Sequence, residues 1–235
     1  KVDRNKDGKF FVKTAESEWI ADSVILATGS YDLQNKPEYA RNLNSDIVQI
    51  SSKSYKRPSD IPDGVCLVIG TGQSGVQMME DLWIAGRDVR LCVGTAPRSP
   101  RIYRGRDATD WLFEIGEYSK TIGEQPNPKL TESKTNHYLS GRNGGHEIDL
   151  REFALKGLKL YGSVCNMNEN LIRFKKDLNE NLDRADESYL RICKMIDDYI
   201  DTKNLDAPQK PFFEKKWFPK EETEFINIKD ENITS

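Results

Sequence analysis

Six residues constrain this chain more than any other stretch: Gly70-Thr71-Gly72-Gln73-Ser74-Gly75. They follow directly on Val65-Cys66-Leu67-Val68-Ile69, an apolar run of strand length. They open a stretch from Ser74 to Ala85 in which Val76, Met79, Leu82 and Trp83 fall on one helical side, with Gly86 as the stop. A further apolar run, Asp88 to Val93, comes next. Strand, glycine loop, helix and strand in that order form a βαβ unit, which requires a parallel sheet. Gly70 permits the tight turn, Gly72 lets backbone approach a pyrophosphate, and Gly75 lets the helix lie close to the strand. The free N–H groups of the helix start, at the positive end of its dipole, then face an anion. A glycine turn that binds nothing is the bland alternative; three glycines at this spacing between two strands argue against it.

The nucleotide follows from the end of the second strand. An NAD site usually carries an acid there, about 20 residues on, to hold a ribose hydroxyl. Here the strand runs into Val93-Gly94-Thr95-Ala96, with no acid, and then into Arg98, Arg101, Arg104 and Arg106. Arginine binds a 2′-phosphate bidentately, whereas a carboxylate repels it. NADPH is the expected dinucleotide, with Arg98 and Arg101 at its 2′-phosphate and Arg104 in reserve. A merely solvated basic loop is the competing reading.

Elsewhere the pattern predicts short strands at Lys9 to Lys13 and Glu18 to Ile20. A buried strand, Ser23 to Leu26, then runs into Ala27-Thr28-Gly29. Residues 31–63 read as a connection. Short helices are expected at Thr109 to Ile115 and Leu150 to Lys156, with loop from Glu117 to Gly145. A hairpin is expected between Leu158 to Val164 and Leu171 to Phe174. From Lys175 to Lys203, Leu178, Leu182, Ala185, Tyr189, Ile192, Ile196 and Tyr199 step by four and three. That stripe suits a coiled-coil seam or a helix laid on a domain, and a single stretch of this length favours the second. Phe225 to Ile228 reads as a last strand.

The bulk numbers close off other classes. Over 235 residues, 37% are hydrophobic and 31% charged, and the formal charge is −3. That balance argues against a nucleic-acid partner. No apolar run approaches the ~20 residues that span a bilayer, so no membrane role is expected, and no secretory leader opens the chain. Cys66, Cys92, Cys165 and Cys193 lack Cys-x-x-Cys spacing, so they read as reduced cytoplasmic thiols on apolar faces. His137 and His146 have no ligand neighbours at zinc spacing. A small-molecule substrate and a homo-oligomer remain open as partners. Tyr199 and Lys203 stand four apart, as in short-chain dehydrogenases, but on a charged amphipathic stretch behind a different glycine spacing.

The order of these features carries a resemblance. Hairpin, apolar strand, Ala27-Thr28-Gly29, long connection, strand and Gly-x-Gly-x-x-Gly resemble the class B flavin-dependent monooxygenases and the wider flavoproteins with two dinucleotide-binding domains. The matching stretches are Ile25 to Gly29, Gln49 to Tyr55, Leu67 to Glu80, Pro97 to Asp107 and Gly141 to Gly145. The resemblance implies FAD as well as NADPH, with hydride passing from one to the other, and places Thr28 and Gly29 on the flavin side. The implied architecture is α/β. A Rossmann-like doubly wound NADPH domain (64–174) is inserted after part of an FAD-type domain (1–30) and a connection (31–63). A long helix (175–205) and a return segment (206–235) follow. With Lys1 in place of Met and a last residue at Ser235, it implies an internal piece of a larger enzyme, inactive by itself. Related monooxygenases keep a His where this chain has Ser51, so no hydroxylated substrate is named. No catalytic acid, base or nucleophile stands out. A related disulfide reductase, or an NADP-sensing module without turnover, are the alternatives.

Overall fold

The computed structural model describes residues 1–27, 29, 36–125, 129 and 135–235. The chain divides into two compact units, Lys1–Asn35 and Lys36–Ser235.

In the first unit, β1 (Val2–Arg4), β2 (Phe10–Lys13) and β3 (Glu18–Ala21) form an antiparallel meander. Asn5 sets the first turn, its side-chain oxygen accepting from the amides of Asp7 and Lys9. No described residue of this unit is buried. The strand expected at Ser23 to Leu26 is not formed, and Ile25 and Leu26 are 90% and 79% exposed. An apolar strand is stable when neighbours pair its edges and layers cover its faces. Among the described residues nothing does either.

The second unit is built on a parallel sheet. β4 (Cys66–Ile69), β5 (Val89–Cys92) and β8 (Lys159–Tyr161) lie in the order β4-β5-β8, with Val68 opposite Leu91 and Leu91 opposite Leu160. On the free edge of β4, the last residues begin a further parallel pairing. Val65 bridges Ile233, and the amide of Leu67 donates to the carbonyl of Ser235. Sequence neighbours therefore lie on one side of β4 and the end of the chain on the other.

Alternate residues of β4, together with Val65 just before it, supply two cores. Cys66 and Val68 meet Val76, Met79 and Leu82 of α1 (Gln73–Ile84) on one face. Val65 and Leu67 face Met167, Ile172, Phe174 and Ile226 on the other. That second cover is an antiparallel sheet of β9 (Val164–Met167), β10 (Leu171–Phe174) and β11 (Phe225–Asn227), in the order β11-β10-β9. The fold is thus α/β around a parallel sheet, but strands rather than helices cover this face of it. The hairpin expected from Leu158 is also corrected. Residues 159–161 belong to the parallel sheet, and Val164–Met167 pairs with β10. Gly162 marks the break between them: a Cβ there would collide with the carbonyl oxygen of Lys175.

Beyond β5 come the ribbon β6 (Ile102–Tyr103) and β7 (Arg106–Asp107), then α2 (Ala108–Ile115) and α3 (Leu150–Leu155). The long helix α4 (Leu178–Lys203) lies on the unit, as its apolar stripe favours. Leu178, Leu182 and Ala185 join the sheet core, while Ile192, Ile196 and Ile200 meet Trp111 of α2. Residues 206–222 then run back along α4 as an extended strap. Lys210 pairs with Asp197 at 2.9 Å, Phe213 lies 5.7 Å from the Tyr189 ring, and Lys215 pairs with Asp183 at 2.7 Å. Glu222 then accepts from the first amides of α4, Leu178 and Asn179, at 3.2 and 3.0 Å. Among the described residues no helix is long and apolar enough to cross a membrane.

Candidate dinucleotide site

The glycine loop sits at the carboxyl end of β4, where strand order diverges to β5 on one side and Ile233 to Ser235 on the other. In open α/β sheets that divergence opens the crevice in which ligands bind. Gly70 has φ +97°, a conformation that L side chains rarely adopt. A Cβ on Gly75 would fall on the carbonyl of Gly70, so only glycine lets α1 start this close to the strand. Gly72 caps α1 and contributes no side chain to the cap, while its carbonyl accepts from Val76 at 3.1 Å. The amides of Gln73, Ser74 and Gly75 belong to the first turn, which has no preceding turn to pair with, and Gln73 and Ser74 are exposed. The result is a cradle of glycine turn and uncapped helix start, fixed by backbone geometry.

Two ties hold the cradle to the end of β5. The Gly70 amide donates to Cys92 O at 3.0 Å, and the Gly94 amide donates to the hydroxyl of buried Thr71 at 3.1 Å. Beside it, Thr135 approaches the Gly72 position and Tyr138 donates to Pro97 O. The segment that follows is pinned along α1. Gln77 donates to Leu139 O at 2.9 Å, and buried Glu80 accepts from Ser140 at 2.5 Å and pairs with His146 at 2.6 Å. Asp81 takes Arg142 and the Tyr55 hydroxyl. Contacts of such long range have no fixed spacing, and the sequence pattern did not reveal them.

The arginines are placed differently from expectation. Arg98 is 4% exposed. It pairs with Asp149 at 2.9 Å and Asp186 at 3.1 Å, beneath the Tyr189 ring. Burial pushes the Asp186 carboxyl up from its ordinary range, against the pull of Arg98 and Arg151. An arginine so enclosed ties the β5 loop to α4 and presents no face to a 2′-phosphate. Arg104 pairs with Asp197 at 2.8 Å and Arg106 with Glu114 at 2.8 Å. Arg101 packs its buried, unpartnered Nε against Gly145 and pairs with Asp107 at 2.7 Å, while the side chain as a whole is part-exposed. Among Arg98, Arg101 and Arg104, Arg101 has the most exposed side chain. The stretch after β5, Val93 to Ala96, carries no acid, and Thr95 in it is exposed.

On the flavin side, Thr28 lies outside the described residues. Gly29 has φ +71° with nothing near its missing Cβ. Ser51 holds a local turn, its carbonyl accepting from the amides of Ser54 and Tyr55 at 2.9 Å. The four cysteines are free; Cys66, Cys92 and Cys193 are buried, while Cys165 is exposed on β9 rather than on an apolar face. Burial pushes the Cys193 thiol up to about 12, a poor nucleophile at neutral pH.

With this geometry stands a family match. Residues 1–135, more than half of the chain, match the pyridine nucleotide-disulphide oxidoreductase family. The chain belongs to that family. The resemblance drawn from the glycine loop and the Ala27-Thr28-Gly29 turn therefore holds at the level of the family. Two curated relatives are similar over part of their length. The "uncharacterized oxidoreductase CzcO-like" protein of Geobacillus kaustophilus is 30% identical over 114 residues, 48% of this chain and 32% of that protein. The "uncharacterized oxidoreductase CzcO" of Bacillus subtilis is 33% identical over 107 residues, 46% and 31% of the two chains. The chain thus spans about a third of the length of the curated relatives it matches. A flavin monooxygenase variant from Stenotrophomonas maltophilia overlaps 74% of this chain and 43% of its own. It is 16% identical with a TM-score of 0.44, too loose for any residue to be carried across.

Proposed function

We propose that the Gly70 to Gly75 loop binds the pyrophosphate of NADPH, and that the chain is the nucleotide-binding part of a flavin-dependent oxidoreductase. The observation that carries the reading is the cradle itself. A positive-φ Gly70, a Gly75 that tolerates no Cβ and an uncapped helix start stand together at the point where strand order diverges. NADPH supplies a hydride when bound. The protein's task is to place and orient it: the first-turn amides of α1 hold the pyrophosphate, and Val93 to Ala96 carry no acid that would repel a 2′-phosphate. Arg101 is the side chain proposed at that phosphate, exchanging Asp107 for the ligand. FAD as hydride acceptor rests on the family and its likeness to flavoproteins, with Thr28 and Gly29 as the proposed flavin-side turn. The monooxygenase outcome, the organic substrate and a cytoplasmic setting belong to the same proposal.

Titration calorimetry tests the nucleotide. NADPH is expected to bind at least about tenfold more tightly than NADH, about 1.4 kcal/mol. Equal dissociation constants would remove the NADPH assignment, and no binding of either would remove the site.

A further inference from the structure

The end of β5 contains one peptide unit held at both poles. The Val93–Gly94 amide donates to Thr71 Oγ1 of the glycine loop at 3.1 Å. The carbonyl of the same unit accepts from Asn181 Nδ2 of α4 at 3.0 Å and from the Ser163 hydroxyl at 3.4 Å. Both Thr71 and Asn181 are buried, at 2% and 1% exposure. Asn181 also donates to Ser163 Oγ at 3.2 Å, and the Ser163 amide donates to Asp177, the residue before α4, at 2.7 Å. The preceding amide, that of Val93, donates to Tyr161 O at 2.8 Å. A peptide plane fixed at both its N–H and its C=O cannot rotate without breaking a buried hydrogen bond on one side or the other. This plane stands where a dinucleotide fold meets the adenosine ribose.

We infer that Thr71 and Asn181 are positioning residues for the adenosine half of the nucleotide. From opposite sides they fix the Val93–Gly94 peptide, and with it the distance between the phosphate cradle and the ribose seat. The inference rests on the nucleotide reading above. It adds that the ribose end is set by a neutral, two-sided brace reaching into α4, in addition to any arginine. The side chain of Thr71 makes no bond to the ligand. Its hydroxyl acts through Gly94, and a group of the same size without an acceptor frees that amide and lets the strand end swing.

Thr71→Val keeps the volume and removes the acceptor, and Thr71→Ser restores it. Binding of NADPH, 2′,5′-ADP and reduced nicotinamide mononucleotide is measured by calorimetry on the full chain, alongside the melting temperature. The brace predicts that Thr71→Val weakens NADPH and 2′,5′-ADP alike by about tenfold and leaves the mononucleotide within about twofold of wild type; Thr71→Ser stays within about threefold for all. Asn181→Leu is expected to move the same two ligands in the same direction. If that variant fails to fold, the Thr71 pair carries the test. Unchanged 2′,5′-ADP affinity in Thr71→Val overturns the brace, as does an equal loss for all three ligands, the mark of general loosening. Wild-type protein that binds neither NADPH nor 2′,5′-ADP overturns the nucleotide reading itself. Wild-type binding with an indifferent Thr71→Val overturns the brace alone.

Discussion

At the scale of single residues, steric fit and ion pairing decide which positions tolerate change. Gly75→Ala places a methyl against the Gly70 carbonyl, so either the loop or α1 must shift. Nucleotide affinity is expected to fall by more than about tenfold, with a stability loss of about 1–3 kcal/mol from overpacking, read by calorimetry and urea unfolding. Arg98 and Arg101 separate structure from binding. Arg98→Met removes the ion pair of Asp149 and leaves buried Asp186 to Arg151 alone, and is expected to cost about 3–5 kcal/mol in denaturant unfolding. Arg101→Met loses one part-exposed pair, less than about 1 kcal/mol. Its signature is instead a narrowed gap between NADPH and NADH affinities. A large loss of stability from Arg101→Met with an unchanged gap would reverse the assignment. The sequence put these arginines in one loop with one role. It could not reveal their partners, because Asp149 and Asp186 lie far along the chain and are brought to Arg98 by α3 and α4.

At the scale of elements, α4 organises the second unit, and a strap holds it from end to end. Asp197 shows how. Burial alone would raise its carboxyl, but hydrogen bonds from Lys210, Arg104 and Tyr103 outweigh that and hold it below the usual range. A carboxyl lowered on folding contributes stability above its unfolded value of about 3.9, and that contribution is lost as pH falls through the lower folded value. Asp197→Asn is therefore expected to lower the denaturation midpoint at pH 7, and the difference should shrink as pH falls below about 4. A pH-independent difference would mean that the carboxylate charge is not what the strap and loop hold. The stripe of α4 was legible from its spacing of four and three. That one half of the stripe meets the sheet and the other meets α2 was not, because spacing defines a face and not what lies opposite it.

At the scale of the whole molecule, the two units differ in what they bury. The meander of β1, β2 and β3 has no buried residue, whereas β5 is buried throughout. Local stability follows buried apolar contact. In hydrogen exchange read by mass spectrometry, the amides of residues 2–21 are expected to exchange well before those of β4 and β5. Saturating NADPH should slow exchange in the second unit, stabilising it by about 2.7 kcal/mol at a hundredfold excess over Kd. Equal protection of the two units would contradict the division.

The sequence by itself determined the elements whose signals are local. Gly70, Gly72 and Gly75 fixed the turn and the start of α1, and the apolar runs fixed β4 and β5. Gly75 could be read this way because the constraint it answers lies five residues away, in Gly70. Tertiary structure alone decided the rest. Ser23 to Leu26 has the composition of a buried strand, but a strand exists only where partners pair its edges. The short apolar runs after Leu158 were divided between a parallel and an antiparallel sheet by what lay alongside each. Arg98 and Arg104 were drawn to carboxylates on distant elements, since a buried guanidinium requires a partner that no local pattern announces. The Val93–Gly94 peptide, gripped by Thr71 on one side and Asn181 on the other, was likewise set by three segments that meet only once the chain has folded.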